Sequence, residues 1–222
     1  MAKKLKERRV GLCPVCVEKK ALTLDHVPPK GVFLKPRPTN TITVWTCSQC
    51  NEGTNLDDEY FRVYIAAPNE PGSHLHRLWK EKVVKSTFQR SPALRAELAR
   101  GMDMMKEHHK REPLRTLGRT WTDEEAARAL PLSRKRIERV VRKIVRCLHA
   151  YHEGEPLPRS ASLTISVEPL TEAEIEVLIR DRTGMVGGQE GEFVYRRSHG
   201  TRPGVWDWTL FFYLTHGFRV RV

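Results

Sequence analysis

Hydrophobic spacing switches between a two-residue and a 3.6-residue period along the chain, and each switch marks an element. From Ala21 to Val27, Leu22 and Leu24 alternate with Thr23 and Asp25, the pattern of a half-buried strand ending at His26. Pro28, Pro29, Gly31, Pro36 and Pro38 follow. Neither a ladder nor a helix tolerates that proline density, so the segment reads as an irregular loop. Residues 41–46, Thr-Ile-Thr-Val-Trp-Thr, are β-branched and aromatic and read as the return strand. Thr54 then caps a helix whose first turn carries Asp57, Asp58 and Glu59, the charge sign favoured at a helix N-terminus.

Ala66 to Ser73 contains prolines and a glycine and reads as a connector. Leu75, Leu78, Trp79, Val83, Leu94 and Leu98 supply the apolar positions of helices from about His74 to Lys110, interrupted near Ser91-Pro92. Thr122 to Glu125 fits a capping box that opens a short helix. The clearest amphipathic helix runs from Ser133 to His152, with Ile137, Val140, Val141, Ile144, Val145, Leu148 and Tyr151 on one face. Arg134, Lys135, Arg136, Arg139, Arg142, Lys143 and Arg146 fill much of the rest, a face that either tracks a phosphate backbone or is simply solvated.

From Ala161 the texture becomes strand-like at Leu163, Ile165 and Val167. A second capping box at Thr171–Glu174 begins a helix through about Arg182. Phe193–Tyr195, Val205–Leu214 and Phe218–Val222 then suggest a small antiparallel sheet with a helix on one face. The expected class is α+β, in three segments: 1–66, a connector with helices over 67–132, and 133–222 with the long helix and the sheet region.

Charge narrows the partner. Lys and Arg number 39 against 27 Asp and Glu, a formal charge of +12, which favours a polyanion and would also suit an anionic membrane surface. No apolar run approaches the ~20 residues that span a bilayer. The Lys/Arg-rich start, Met1 to Val10, has no apolar run behind it, so no secretory signal is read and a cytoplasmic location is expected.

Cysteines carry the first chemistry. Cys13/Cys16 and Cys47/Cys50 are two Cys-x-x-Cys pairs, the ligand set of a structural zinc. The interval Val17 to Thr46 exceeds the ~15–20 residues of a usual zinc ribbon, so a segment is inserted between the knuckles. A disulfide or redox role is the competing reading. Cys147 lies inside the long helical pattern without partner spacing.

The inserted segment holds Leu24-Asp25-His26-Val27-Pro28-Pro29, and Asn51 directly follows Cys50. His26 is the candidate general base, since an imidazole can take a proton from water near pH 7. Cys-x-x-Cys, then Asp-His in that setting, then Cys-x-x-Cys-Asn, with Asn51 to Phe61 continuing, resembles the HNH endonucleases over residues 10–65. The resemblance implies a ββα-metal fold and divalent-metal-dependent hydrolysis of DNA, in restriction, phage defence or a mobile element. It makes Asp25 and Asn51 ligands of a catalytic Mg²⁺ or Mn²⁺ and gives Asn40 the place of the residue that orients His26, though Asn40 lies farther before Cys47 than the commonest family spacing.

Adjacent strand residues point oppositely, so serving one phosphate requires the backbone to turn between Asp25 and His26. Asn55, Asp57 and Asp58 are alternative ligands, with a charged helix start as the plainer reading of the two aspartates. A non-catalytic zinc module that binds nucleic acid is the rival from another class, and RNA is a possible substrate in place of DNA. One site cuts one strand, so double-strand cleavage needs a dimer or two events. His149, His152 and Glu153 hint at a second metal site, with packing as the stronger alternative. Arg196, Arg197, His199 and Arg202 beside Trp206 and Trp208 form a basic, aromatic loop region that suits nucleic acid or a core.

Overall fold

A computed structural model describes residues 9–67, 71–112, 115–116, 119–120, 133–167, 173, 176–177, 180, 184–187, 192–200, 202 and 204–222. The fold is α+β. Two compact units divide the chain: residues 1–65 with 136–222, and residues 66–135. Ends that are distant in sequence therefore share one unit.

That first unit opens with β1 (Arg9–Leu12), β2 (Lys19–Val27) and β3 (Ile42–Cys47), an antiparallel sheet in the order β1-β2-β3. The proline-rich loop joins β2 to β3 and includes a single 3₁₀ turn at Lys30–Val32. Its interior residues Val32, Phe33 and Leu34 are buried, and a Cβ at Gly31 would collide with the Arg62 guanidinium, so glycine lets the loop lie against the following helix. α1 (Ser48–Glu52) and α2 (Asn55–Ala66) follow, separated at Gly53 and Thr54. A hairpin plus helix thus occupies the segment where the strand and cap signals placed them.

The second unit is largely helical. Ser73 caps α3 (His74–Leu78) by accepting from the His76 N–H at 3.1 Å. Trp79–Thr87 continues in π-helical form, with the Thr87 hydroxyl donating to the Lys82 carbonyl at 3.0 Å, before α4 (Phe88–Arg90). The expected interruption falls at Ser91, and Pro92 occupies the first turn of α5 (Pro92–Arg111), where its missing N–H costs nothing. β4 (Arg115–Thr116) and β5 (Arg119–Thr120) make a two-stranded ladder. The helix expected from Thr122 lies outside the described residues.

Back in the first unit, α6 (Arg134–Glu153) is the long helix, and the five-stranded antiparallel sheet runs β6-β10-β9-β8-β7. These strands are β6 (Thr164–Ser166), β7 (Gly184–Val186), β8 (Phe193–His199), β9 (Trp206–Phe212) and β10 (His216–Arg221). The Thr171 capping box also falls outside the described residues. One sheet face packs Phe212 and Phe218 against Phe61 of α2, and Tyr195 and Trp208 against His152 of α6, in edge-on and tilted pairs. Among the described residues no helix is long and apolar enough to cross a membrane.

Candidate functional site

The two Cys-x-x-Cys pairs meet. Val17, at φ 59°, closes the first knuckle, with its N–H donating to the Cys13 carbonyl at 2.8 Å. The second pair straddles the end of β3 and α1, which sets Cys47 and Cys50 a helical turn apart. All four Sγ atoms lie within 4.8 Å of one another, and Cys16 and Cys47 are 3.9 Å apart. A tetrahedron with ~2.3 Å zinc–sulfur bonds needs sulfurs ~3.8 Å apart. The cysteines are free thiols, and the Cys47 N–H donates to Cys13 Sγ at 3.4 Å, as a thiolate ligand requires.

Burial, with neighbouring sulfurs adding to it, pushes the Cys16 and Cys50 thiols up. Burial acts on Cys13 the same way, but three backbone N–H groups hold that thiol below its usual range. A dication among four sulfurs reverses the repulsion and deprotonates them. This donor set fits zinc. Cys147 is buried in α6 and stands outside the cluster.

β2 pairs with β3 in an unbroken register, Asp25 opposite Val44 and His26 opposite Thr43. The turn expected between Asp25 and His26 is therefore absent, because a continuous ladder fixes extended dihedrals on both residues. Their side chains leave on opposite faces. His26 shares its face with exposed Leu24 and with Thr43, near the knuckle residues Leu22 and Cys47. Asp25 faces inward at 7% exposure, with Thr23 and Thr46.

Asp25 is fully engaged there. Oδ1 accepts the His26 backbone N–H at 2.8 Å; Oδ2 accepts the Thr46 hydroxyl at 3.4 Å and the Lys143 ammonium at 2.9 Å. Lys143 Nζ also donates to Thr54 Oγ1 at 2.9 Å and lies 3.7 Å from Asp58 Oδ2. Burial alone would lower the Lys143 ammonium, but Asp58 and Asp25 hold it above its usual range. Burial pushes Asp58 up to about 6, with Lys143 opposing and Asp25 reinforcing the shift.

Asn51 lies on this inner face as well; its amide donates to Thr23 Oγ1 at 3.1 Å and to the Leu24 carbonyl at 3.2 Å. Asp25 and Asn51, the two residues implied as ligands of a catalytic ion, are thus on one side of β2, with hard oxygens around them. The donor chemistry suits Mg²⁺ or Mn²⁺, and the ammonium already at Asp25 opposes a second cation. Asn40 is exposed and its Oδ1 accepts the Gly187 N–H at 3.0 Å. Asn55 is exposed, while Asp57 is taken up by arginines of α6.

His26 is half-buried. Burial lowers its pKa, Lys30 and Arg37 lower it further, and Asp25 opposes them. The ring is consequently neutral at pH 7, and the proline-rich loop supplies exposed cations Lys30, Lys35 and Arg37.

Neither reading of the basic helix face holds along most of α6. Arg139 binds Asp57, Arg142 Nη1 reaches the Leu163 carbonyl at 3.1 Å, and Arg146 reaches the carbonyls of Leu157, Pro158 and Ala161. Residues 140–149 are buried but for half-buried Arg142, because the helix threads between packed elements and satisfies its cations with protein oxygens. The sequence pattern puts Lys143 on that basic surface; only its partners across β2 and α2, Asp25, Thr54 and Asp58, reveal its place. His149 packs edge-on to Trp206, and His152 meets the Tyr195 hydroxyl at 3.0 Å, so both serve packing. Arg197 pairs with Glu153 and lies 5.1 Å over Trp206, while Trp208 is core.

No protein-family model, curated protein or solved structure matches this chain.

Proposed function

We propose that the chain is an HNH-type nuclease that hydrolyses DNA phosphodiester bonds with a divalent ion, on a scaffold held by a structural zinc. The observation that supports it is His26: a half-buried imidazole whose pKa burial and the nearby Lys30 and Arg37 lower, on the face of β2 opposite Asp25 and beside a four-cysteine knuckle. In this reading His26 takes a proton from the attacking water. Lys30 and Arg37 attract the phosphate backbone, and Asp25 with Asn51 holds the ion; for both to serve one phosphate, β2 must turn between Asp25 and His26, which the β2–β3 ladder keeps on opposite faces. A bound Mg²⁺ or Mn²⁺ supplies charge stabilisation at the scissile phosphate and the leaving oxygen.

The test is nicking of supercoiled plasmid by the zinc-loaded protein in Mg²⁺ or Mn²⁺. A nicked product that a chelator prevents supports the reading. DNA bound but never cut supports the alternative, a non-catalytic zinc-stabilised nucleic-acid-binding module. Two observations favour that alternative: Asp25 and His26 leave β2 on opposite faces, and the Asp25 carboxylate is already paired with Lys143.

A further inference from the structure

Lys143 is 4% exposed, at the middle of a 20-residue helix. Its Nζ has a shell of hard oxygens: Asp25 Oδ2 at 2.9 Å, Thr54 Oγ1 at 2.9 Å and Asp58 Oδ2 at 3.7 Å. That is the donor chemistry of a small hard-cation site, here satisfied by an ammonium the protein carries itself. Two carboxylates face one ammonium, and Asp58 Oδ1 is buried with no hydrogen-bond partner among the described residues. The pocket is under-neutralised, which explains why a cation belongs in it.

We propose that Lys143 is a resident cation that holds Asp25 against divalent ions, and so sets the ion concentration at which this pocket can be loaded. The inference rests on reading Asp25 as a metal ligand of the proposed nuclease. A divalent ion approaching Asp25 meets a positive charge within van der Waals range of its ligand. Displacing that charge leaves an ammonium in an environment poor in water, tethered to a stretch of helix, residues 140–149, that is buried but for half-buried Arg142. Both effects oppose loading. Removing the ammonium while keeping its stem converts repulsion into a vacancy between two carboxylates.

The test uses full-length, zinc-loaded protein and Mn²⁺ alone, read as loss of the free-ion electron paramagnetic resonance signal. Lys143→Met should bind Mn²⁺ at least tenfold more tightly than the wild type. Adding Asp25→Asn to that variant should remove the gain. Mn²⁺ should also raise the melting temperature of Lys143→Met more than that of the wild type, because a ligand of the folded state stabilises it. Equal Mn²⁺ affinity in wild type and Lys143→Met, with unchanged zinc content and circular dichroism, overturns the proposal.

Should Lys143→Met fail to fold, Lys143→Gln takes its place, since it removes the charge and keeps a donor for Thr54 Oγ1. Mn²⁺ binding at least tenfold tighter than the wild type upholds the inference, and wild-type affinity overturns it. Tighter Mn²⁺ binding by Lys143→Met without plasmid nicking by either protein upholds the cation role and removes the nuclease reading. Nicking by both proteins at the same Mn²⁺ threshold does the reverse.

Discussion

Arg139 grips Asp57 with two parallel bonds, Nε 2.7 Å from Oδ2 and Nη2 3.0 Å from Oδ1. Arg136 Nε adds a third at 2.9 Å from Oδ1 and lays its guanidinium 4.0 Å over the Tyr60 ring. The start of α2 is thereby tied to the start of α6, two helices separated by the whole middle of the sequence. Planar forks of this kind are among the stronger ion pairs. Arg139 is 58% exposed, whereas the Arg136 and Asp57 side chains are 20% and 15% exposed. The wet arginine contributes less than the sheltered one.

Asp57→Asn should therefore cost about 1–2 kcal/mol in urea unfolding, and Arg139→Gln less, because Arg136 still partners the carboxylate. Burial opposes ionisation of Asp57, but the two guanidiniums hold its carboxyl below the usual range. Its contribution is present above ~3.9 and is lost as pH falls through the lower folded value. Equal losses for the two variants would contradict this ranking.

Much of the first unit could be read from residue pattern. β2, β3 and α2 follow from alternation at Leu22 and Leu24, β-branching over residues 41–46, and the acids after Thr54. The cysteine spacing sufficed for the cluster, since two knuckles specify four ligands wherever the chain between them wanders. What periodicity could not give was the destination of the charges. Lys143 and Arg146 sit on a helix whose pattern looks amphipathic, and only tertiary partners such as Asp25 and the Pro158 carbonyl turn a polar face into a buried one. The direction of Asp25 relative to His26 was open for a similar reason: it depends on whether β3 pairs through that dipeptide, a non-local fact. β7, three residues beginning with glycine, carries no strand signal of its own.

Salt dependence should separate exposed from internal cations. Lys30, Lys35 and Arg37 are exposed on the loop beside His26. Replacing all three with Gln should lower the steepness of log K against log salt for DNA, by up to about 0.9 per lost phosphate contact. Replacing Arg142 and Lys143 should instead lower the melting temperature, since their partners are protein oxygens. Fluorescence anisotropy of labelled duplex at several salt concentrations provides the check; an unchanged slope in the loop triple variant removes the loop from the interface.

One zinc per chain should copurify, bound by Cys13, Cys16, Cys47 and Cys50. Replacing any of them with Ser should unfold the surrounding module, because metal binding is folding free energy at such a site. Metal analysis by mass spectrometry, paired with thiol titration of native protein, tests this. Zero zinc with four freely reactive thiols is the contrary outcome.

His216 should make the first unit acid-sensitive. It is 7% exposed, lies edge-on to Tyr64 with ring centres 4.9 Å apart, and its Nδ1 has no hydrogen-bond partner among the described residues. Burial pushes its pKa down to about 4. The folded state keeps it neutral while the unfolded chain takes a proton below ~6.5, so stability falls as pH drops from ~6.5 to about 4 and this loss then levels off. The full effect is on the order of 3 kcal/mol. Denaturant melts of His216→Leu across that window should show a shallower slope than the wild type; parallel slopes would mean that other groups carry the sensitivity.

His26 decides between chemistry and binding alone. His26→Ala should keep zinc, fold and DNA affinity, since the ring is only half-buried and is not among the zinc ligands. Nicking at saturating Mn²⁺ should drop by ~10²-fold or more, the scale of losing a general base. Burial with Lys30 and Arg37 lowers the pKa of the imidazole, so the wild-type rate should rise with pH along a limb centred below 6.5 and be flat by neutrality. Neutralising Lys30 and Arg37 should move that limb upward, because the cations that disfavour the imidazolium are gone while Asp25 still favours it. A general base shows this displacement; a residue that only shapes the strand does not. Cleavage that survives His26→Ala, or a pH limb that ignores both cations, would place the proton transfer elsewhere in the site.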